Sequence, residues 1–85
     1  MDSGISTWLI RWFENNAGMS GQDIENNIDT NYFEKGWIDS FKFIAFIMDI
    51  ENNFGIRFSN DEFQDKGFST IKGLAGIIRE RIDGR

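Results

Sequence analysis

Between Asp39 and Gly55 the chain carries Phe41, Phe43, Ile44, Phe46, Ile47, Met48, Ile50 and Phe54. Laid out as a helix at about 100° per residue, these cover more than half of the circumference. Only one narrow polar strip is left, made of Lys42, Ala45, Asp49, Asn52 and Asn53. A helix this apolar has to be surrounded by others, so it is expected at the centre of a helical domain. Its aromatic and β-branched content would also suit a strand. The length, and a start at Asp39-Ser40 that can cap a helix, decide for helix over roughly 40–54.

The flanking segments have one apolar face each. Ile5, Trp8, Leu9, Trp12 and Phe13 fall at helical spacing, with Asp2 or Ser3 as cap and Asn15-Asn16-Ala17-Gly18 as stop. Ile71, Leu74, Ala75, Ile78 and Ile82 make a second stripe, opened by Ser69-Thr70, with Arg79 and Arg81 in the last turns where cations suit the helix dipole. Gly73 and Gly76 weaken that helix slightly. Residues 17–38 are too long for a structureless loop, so Ile24, Ile28, Phe33 and Trp37 should pin them, with a helical turn near Ser20–Ile28. Ser59 and Glu62 have capping-box spacing, which predicts a short helix from Asn60, anchored by Phe58, Phe63 and Phe68. The expected fold is all-α: a small antiparallel four-helix bundle, three main helices plus one short helix, with a long first crossover loop.

A chain of 85 residues has room for one domain, taken to span residues 1–85. At 40% apolar and 15% aromatic it can fill a core, which excludes a disordered chain despite a mean hydropathy of -0.40. The longest apolar run is Phe43–Met48, too short to span a membrane, and Arg11 and Glu14 interrupt any signal-peptide pattern. Without Cys there is no disulfide framework and no thiolate zinc site, which suits a reducing compartment such as the cytoplasm. The lack of His removes the usual general base and the commonest metal ligand together. The chain is therefore not expected to be an enzyme.

Charge narrows the partners. Nine basic residues against fourteen acidic ones give a net charge of -5, a poor surface for nucleic acid. The negative excess lies mainly in residues 1–34, while residues 67–85 are net positive. That asymmetry suits docking onto basic partner surfaces, or simply a solvated face. An EF-hand needs Gly at loop position six and Glu at twelve. Frames begun at Asp29 or Asp49 place Glu34 and Ser40, or Phe54 and Asn60, at those positions, so no metal site is expected. Ser69-Thr70-Ile71-Lys72 matches a Ser-x-x-Lys nucleophile in spacing only and reads as a helix cap. Asp61-Glu62 reads as the negative first turn of a helix, and the glycines are too scattered for a phosphate loop.

One motif remains, Gly36-Trp37-Ile38-Asp39-Ser40-Phe41. Taken alone it is a loop that ends in a helix cap. Its functional reading makes Ser40 an acceptor for a phosphate ester at a helix N-terminus, where free N–H groups and the dipole favour an anion. Asp39 would hold the local geometry or orient a metal-assisted transfer by an outside enzyme.

Here the chain resembles the acyl and peptidyl carrier protein family, whose pattern is Gly-x-Asp-Ser followed by a large apolar residue, with the departure that two residues, Trp37 and Ile38, separate Gly36 from Asp39. Tyr32–Phe41 fits its upstream stretch, Ile50-Glu51-Asn52-Asn53-Phe54-Gly55-Ile56-Arg57-Phe58 looks like the family's Leu-Glu-x-x-Phe-x-Ile segment, and Phe68-Ser69-Thr70-Ile71 is similar to its signal before the last helix. The resemblance implies a stand-alone, monomeric carrier. Ser40, with Asp39 and Gly36 beside it, would receive 4'-phosphopantetheine from coenzyme A through a phosphopantetheinyl transferase, and the arm would carry acyl groups as thioesters. It further implies acyl- or aminoacyl-loading and transferring enzymes as partners, contact with them through Phe41, Met48 and Asp49, and an acyl-chain pocket at Ile44, Ile50, Phe58 and Phe68. For those last four, plain core packing is the competing reading. The leading function is an acyl carrier for fatty acid, polyketide or related biosynthesis. An aminoacyl carrier of the D-alanyl or peptidyl type is the alternative, and a helical adaptor without a prosthetic group is a third. One departure stands out: many family members line the second helix with carboxylates, whereas the polar strip here holds one acid, Asp49, and one base, Lys42. Dedicated partner enzymes rather than the general fatty acid synthase are therefore expected.

Overall fold

The computed structural model describes residues 2–84, and every regular element in that range is helical. Helix α1 (Asp2–Ala17) ends at Gly18, and a one-turn helix α2 (Gly21–Glu25) follows, capped by the Ser20 hydroxyl. Helix α3 (Ser40–Phe54) comes after the crossover, then two 3-10 turns (Asn60–Gln64 and Lys66–Ser69) and helix α4 (Ile71–Asp83). The side chains of Asp2 and Ser3, expected to cap α1, lie outside the described part. The other caps stand where the sequence places them. Asp39 caps α3, the Glu62 carboxylate reaches back to the Ser59 N–H at 2.8 Å, and the Thr70 hydroxyl accepts from the Gly73 N–H at 3.0 Å.

Helices α1 and α3 run antiparallel. Trp8 meets Phe54, Trp12 meets Phe46, and the Lys42 ammonium donates to the carbonyl of Asn16, so residue numbers fall on one helix as they rise on the other. The core is aromatic at this seam: Phe13 lies 5.1 Å from Phe46 and 5.2 Å from Tyr32, ring centre to ring centre. Leu9, Ile24, Ile50, Leu74 and Ile78 complete a single buried cluster. Gly73 is explained by close approach, since a Cβ there would come within 2.6 Å of the Gly67 carbonyl. The glycine lets α4 start against the second 3-10 turn.

Three expectations need correction. Helix α3 is not surrounded: Phe41 is 84% exposed, Ile44 60% and Met48 55%, because no element among the described residues covers that side of it. Trp8 is only half-buried, its indole set edge-on against Phe54 at the rim of the α1–α3 seam, while Trp12 is buried. Of the four expected crossover anchors, Ile24 is buried and Ile28 and Trp37 pack against the core, and only the fourth differs. Phe33 is exposed, and its neighbour Tyr32 is wholly buried. The Tyr32 hydroxyl donates to the carbonyl of Phe68, its N–H donates to the Ser69 carbonyl at 3.0 Å, and the Lys72 N–H reaches the Ile28 carbonyl at 3.0 Å. The crossover is thus stitched to the start of α4.

Phe13→Ala should cost about 3–5 kcal/mol, a large part of the stability of a small domain, and Trp8→Ala clearly less. Equal losses in urea unfolding would contradict this packing. Burial also pushes the Tyr32 hydroxyl well above its ordinary value of 10.0. The folded state therefore keeps a proton that the unfolded chain loses, so stability falls as pH rises past about 10. Tyr32→Phe should flatten that alkaline decline, at a cost of about 1 kcal/mol at neutral pH for the lost hydrogen bond. Parallel thermal melts of the two proteins between pH 8 and 11 check it.

Candidate functional site

The site is built by a turn and a cap. Asn31 folds the crossover back on itself, its side-chain oxygen accepting from the N–H groups of Phe33 at 2.9 Å and Glu34 at 3.1 Å. Gly36 then takes φ 73°, with open space where a Cβ would stand. Backbone conformation, not crowding, is what calls for glycine here. The Trp37 N–H returns to the Tyr32 carbonyl at 3.0 Å, which delivers Ile38 into the core and Asp39 to the head of α3.

Asp39 is extended, and its Oδ1 accepts from the Lys42 N–H at 2.8 Å. Its carboxylate is thus committed to the helix end. Ser40, the first helical residue, is exposed. It opens onto a cleft of about 580 Å³ that Asn16, Phe33, Trp37, Asp39 and Lys42 also line. Lys42 places its cation at the C-terminal end of α1, where the dipole favours it, and within the same cleft. A solvent-facing hydroxyl on a capped helix N-terminus, beside open space and one cation, fits a covalently attached phosphodiester.

The expected partner residues divide. Phe41 and Met48 face solvent with Ile44 between them, a strip that begins beside Ser40. Asp49 lies on the other flank of α3, where its Oδ2 accepts from the Trp12 indole N–H at 2.8 Å. The expected acyl pocket divides as well. Ile44 and Phe58 line a groove of about 400 Å³ together with Phe43, Ile47, Met48, Glu51 and Phe63. Ile50 and Phe68 are buried core residues, as the packing alternative had them. The helix explains the split, because Ile50 is six residues beyond Ile44 and points about 120° away from it. Glu51 and Ile47 also belong to the groove, beyond the four residues expected for the pocket. The signal was the spacing of Ser40, Ile44, Ile47 and Glu51, which is one stripe of a helix.

Comparison with known proteins agrees with this geometry. The family described as "Phosphopantetheine attachment site" matches residues 7–78. Among curated relatives, the chain is similar to D-alanyl carrier protein 1 of Lactiplantibacillus plantarum, 32% identical over 64% of this chain and 68% of that one. It is likewise 32% identical to the D-alanyl carrier protein of Leuconostoc citreum, over 73% of this chain and 80% of the relative. The D-alanyl carrier protein of Lactococcus lactis subsp. cremoris is 29% identical over 76% and 84%. No solved structure matches the chain. With a helical bundle, an exposed Ser on a capped helix and a match over most of its length, the chain belongs to the phosphopantetheine-attachment family of carrier proteins, whose prosthetic group is a covalently held 4'-phosphopantetheine.

Proposed function

We propose that this chain is an aminoacyl carrier of the D-alanyl type, with its arm on Ser40. The observation that carries the reading is the exposed Ser40 at the head of α3, in a chain whose similar relatives are D-alanyl carrier proteins. The large apolar residue behind that serine is Phe41. The leading expectation, an acyl carrier for fatty acid or polyketide synthesis, has no counterpart among those relatives, and the alternative takes its place. The adaptor reading has no support beside a family defined by its prosthetic group.

The arm supplies the thiol that a chain without Cys lacks, and so holds the aminoacyl group as a thioester. The chain's own residues present the group and do no chemistry on it. Ser40 offers its hydroxyl, and with no His or Cys in the chain the transferase has to supply the base. Asp39 keeps the first turn of α3 rigid through the Lys42 N–H, and Gly36 sets the approach of the loop. Phe41, Ile44 and Met48 form the contact surface for enzymes that reach Ser40. The carrier is their substrate. No helix among the described residues is long and apolar enough to cross a membrane, and the working site proposed for this carrier is the cytoplasm.

Incubation with coenzyme A and a phosphopantetheinyl transferase should add the mass of one phosphopantetheine, and Ser40→Ala should abolish the gain. An adenylating enzyme, ATP and D-alanine should then load the modified protein, whereas a fatty acid with its own activating enzyme should not. Peptide mapping that puts the arm on Ser20, Ser59 or Ser69 would overturn the site, and preferential fatty acyl loading would overturn the cargo. The contact strip makes a separate forecast. Phe41→Ser or Met48→Ser should lower kcat/KM for loading about tenfold, as loss of a buried apolar anchor does. Because the strip carries no charge, the wild-type rate should change by less than about twofold between low and moderate salt. Steep salt dependence would mean that charge pairs govern the encounter.

A further inference from the structure

The groove on the outer side of α3 combines two properties that a plain docking surface does not need. Phe43, Ile44, Ile47, Met48, Phe58 and Phe63 make it apolar, and it contains a single carboxylate, that of Glu51. This carboxylate is well sheltered, with 16% of the side chain exposed. Its Oε2 accepts from the Phe58 N–H at 3.0 Å, which fixes its orientation. Its Oε1 has the Arg57 guanidinium at 3.9 Å, the edge of ion-pair distance, and Arg57 is 88% exposed. A long, solvated cation at that range holds the oxygen weakly.

Position matters as much as polarity. Ser40, Ile44, Ile47 and Glu51 lie on one stripe of α3. Eleven residues of helix rise by about 16 Å between Ser40 and Glu51. The phosphopantetheine arm has about fourteen bonds from the serine oxygen to the sulfur, and with ordinary bond lengths it extends to about 18 Å. Laid along the stripe, it brings its thioester to the level of Glu51. An α-aminoacyl group carries an ammonium three bonds beyond the sulfur.

We propose that Glu51 and the apolar floor of this groove form a docking site for the aminoacyl end of the arm, with the carboxylate receiving the cargo's α-ammonium and Ile44, Ile47 and Met48 receiving its methyl group. The inference rests on the D-alanyl reading and adds a selection to it. A neutral acyl group in the same place would cover Glu51 without pairing it, which penalises burial of the carboxylate. Cationic cargo is favoured over neutral cargo of equal size by that difference. The pairing is reversible, because Ile44 and Met48 stay exposed and the partner enzyme competes for them.

The test uses coenzyme A analogues whose arm ends in a hydrolysis-resistant D-alanyl amide or in the propionyl amide, which differs from it only in lacking the α-ammonium, attached by a broad-specificity transferase. Intact mass verifies one group on Ser40. Methyl NMR then reads contacts between the cargo methyl and those of Ile44, Ile47 and Met48. D-alanyl cargo on the wild type should show these contacts, and propionyl cargo should show them at about one third of the intensity or less, the discrimination expected of a partly exposed ion pair. Glu51→Gln should bring the D-alanyl signal down to the propionyl level. Arg57→Gln, which removes the competing cation and leaves the groove intact, should hold or raise it. Equal contacts from both cargoes on the wild type would overturn the proposal even if Glu51→Gln fails to fold, and loss of contacts in Arg57→Gln would do the same. Absence of added mass would remove the carrier reading together with this one, whereas added mass without cargo contacts would remove this one alone.

Discussion

Phe46 is the ring on which the rest of the molecule leans. Trp12 approaches it to 4.4 Å, Phe13 to 5.1 Å and Tyr32 to 6.1 Å, so one side chain of α3 joins α1 and the crossover at a single point. A domain this small hides a modest share of its surface, and large rings give the most burial per residue. Edge-to-face and tilted contacts also restrict orientation in a way that isoleucines alone would not. Because Tyr32 is held there, its hydroxyl reaches Phe68, and the crossover closes on the start of α4. The loop after Tyr32 is then short enough that Gly36 and Asp39 set the head of α3, and with it the position of Ser40.

The helices could be read from the sequence because their ends carry chemistry. Ser20, Asp39, Ser59 and Thr70 each stand at a cap position in the structure. The stripes of α1 and α4 behaved as single faces do, and Ile5, Leu9, Leu74 and Ile78 are buried. What periodicity could not separate was an apolar residue kept for the core from one kept for a partner. Phe41, Ile44 and Met48 obey the same spacing as Phe46 and Ile50, and hydrophobic character alone assigns all five inward. Only the position of neighbouring elements decides which flank stays open. The role of Tyr32 was hidden for a related reason: its partners are main-chain carbonyls at Phe68 and Ser69, distant in sequence, and no side-chain pattern announces them. The motif at Asp39-Ser40 was legible, but its meaning came from resemblance, since a bare cap and an attachment site look alike until exposure is known.

The two flanks of α3 have opposite tasks. On the α1 side, Asp49 accepts from the Trp12 indole N–H and Lys42 donates to the Asn16 carbonyl, so two polar groups of the helix hold it in the bundle. On the other side the surface beside Ser40 is apolar and ends at the sheltered carboxylate of Glu51. A carrier must be recognised by several enzymes and released by each of them. A strip of three exposed side chains is small beside the area of a permanent interface, and small contact areas are characteristic of transient encounters. Charge on that strip would speed encounter but would also tie it to whichever enzymes display the opposite sign. An uncharged strip selects instead by shape, which narrows the set of enzymes that fit while leaving dissociation fast. On the proposed reading, selection of the cargo is then left to Glu51, the carboxylate among the described residues lining that groove.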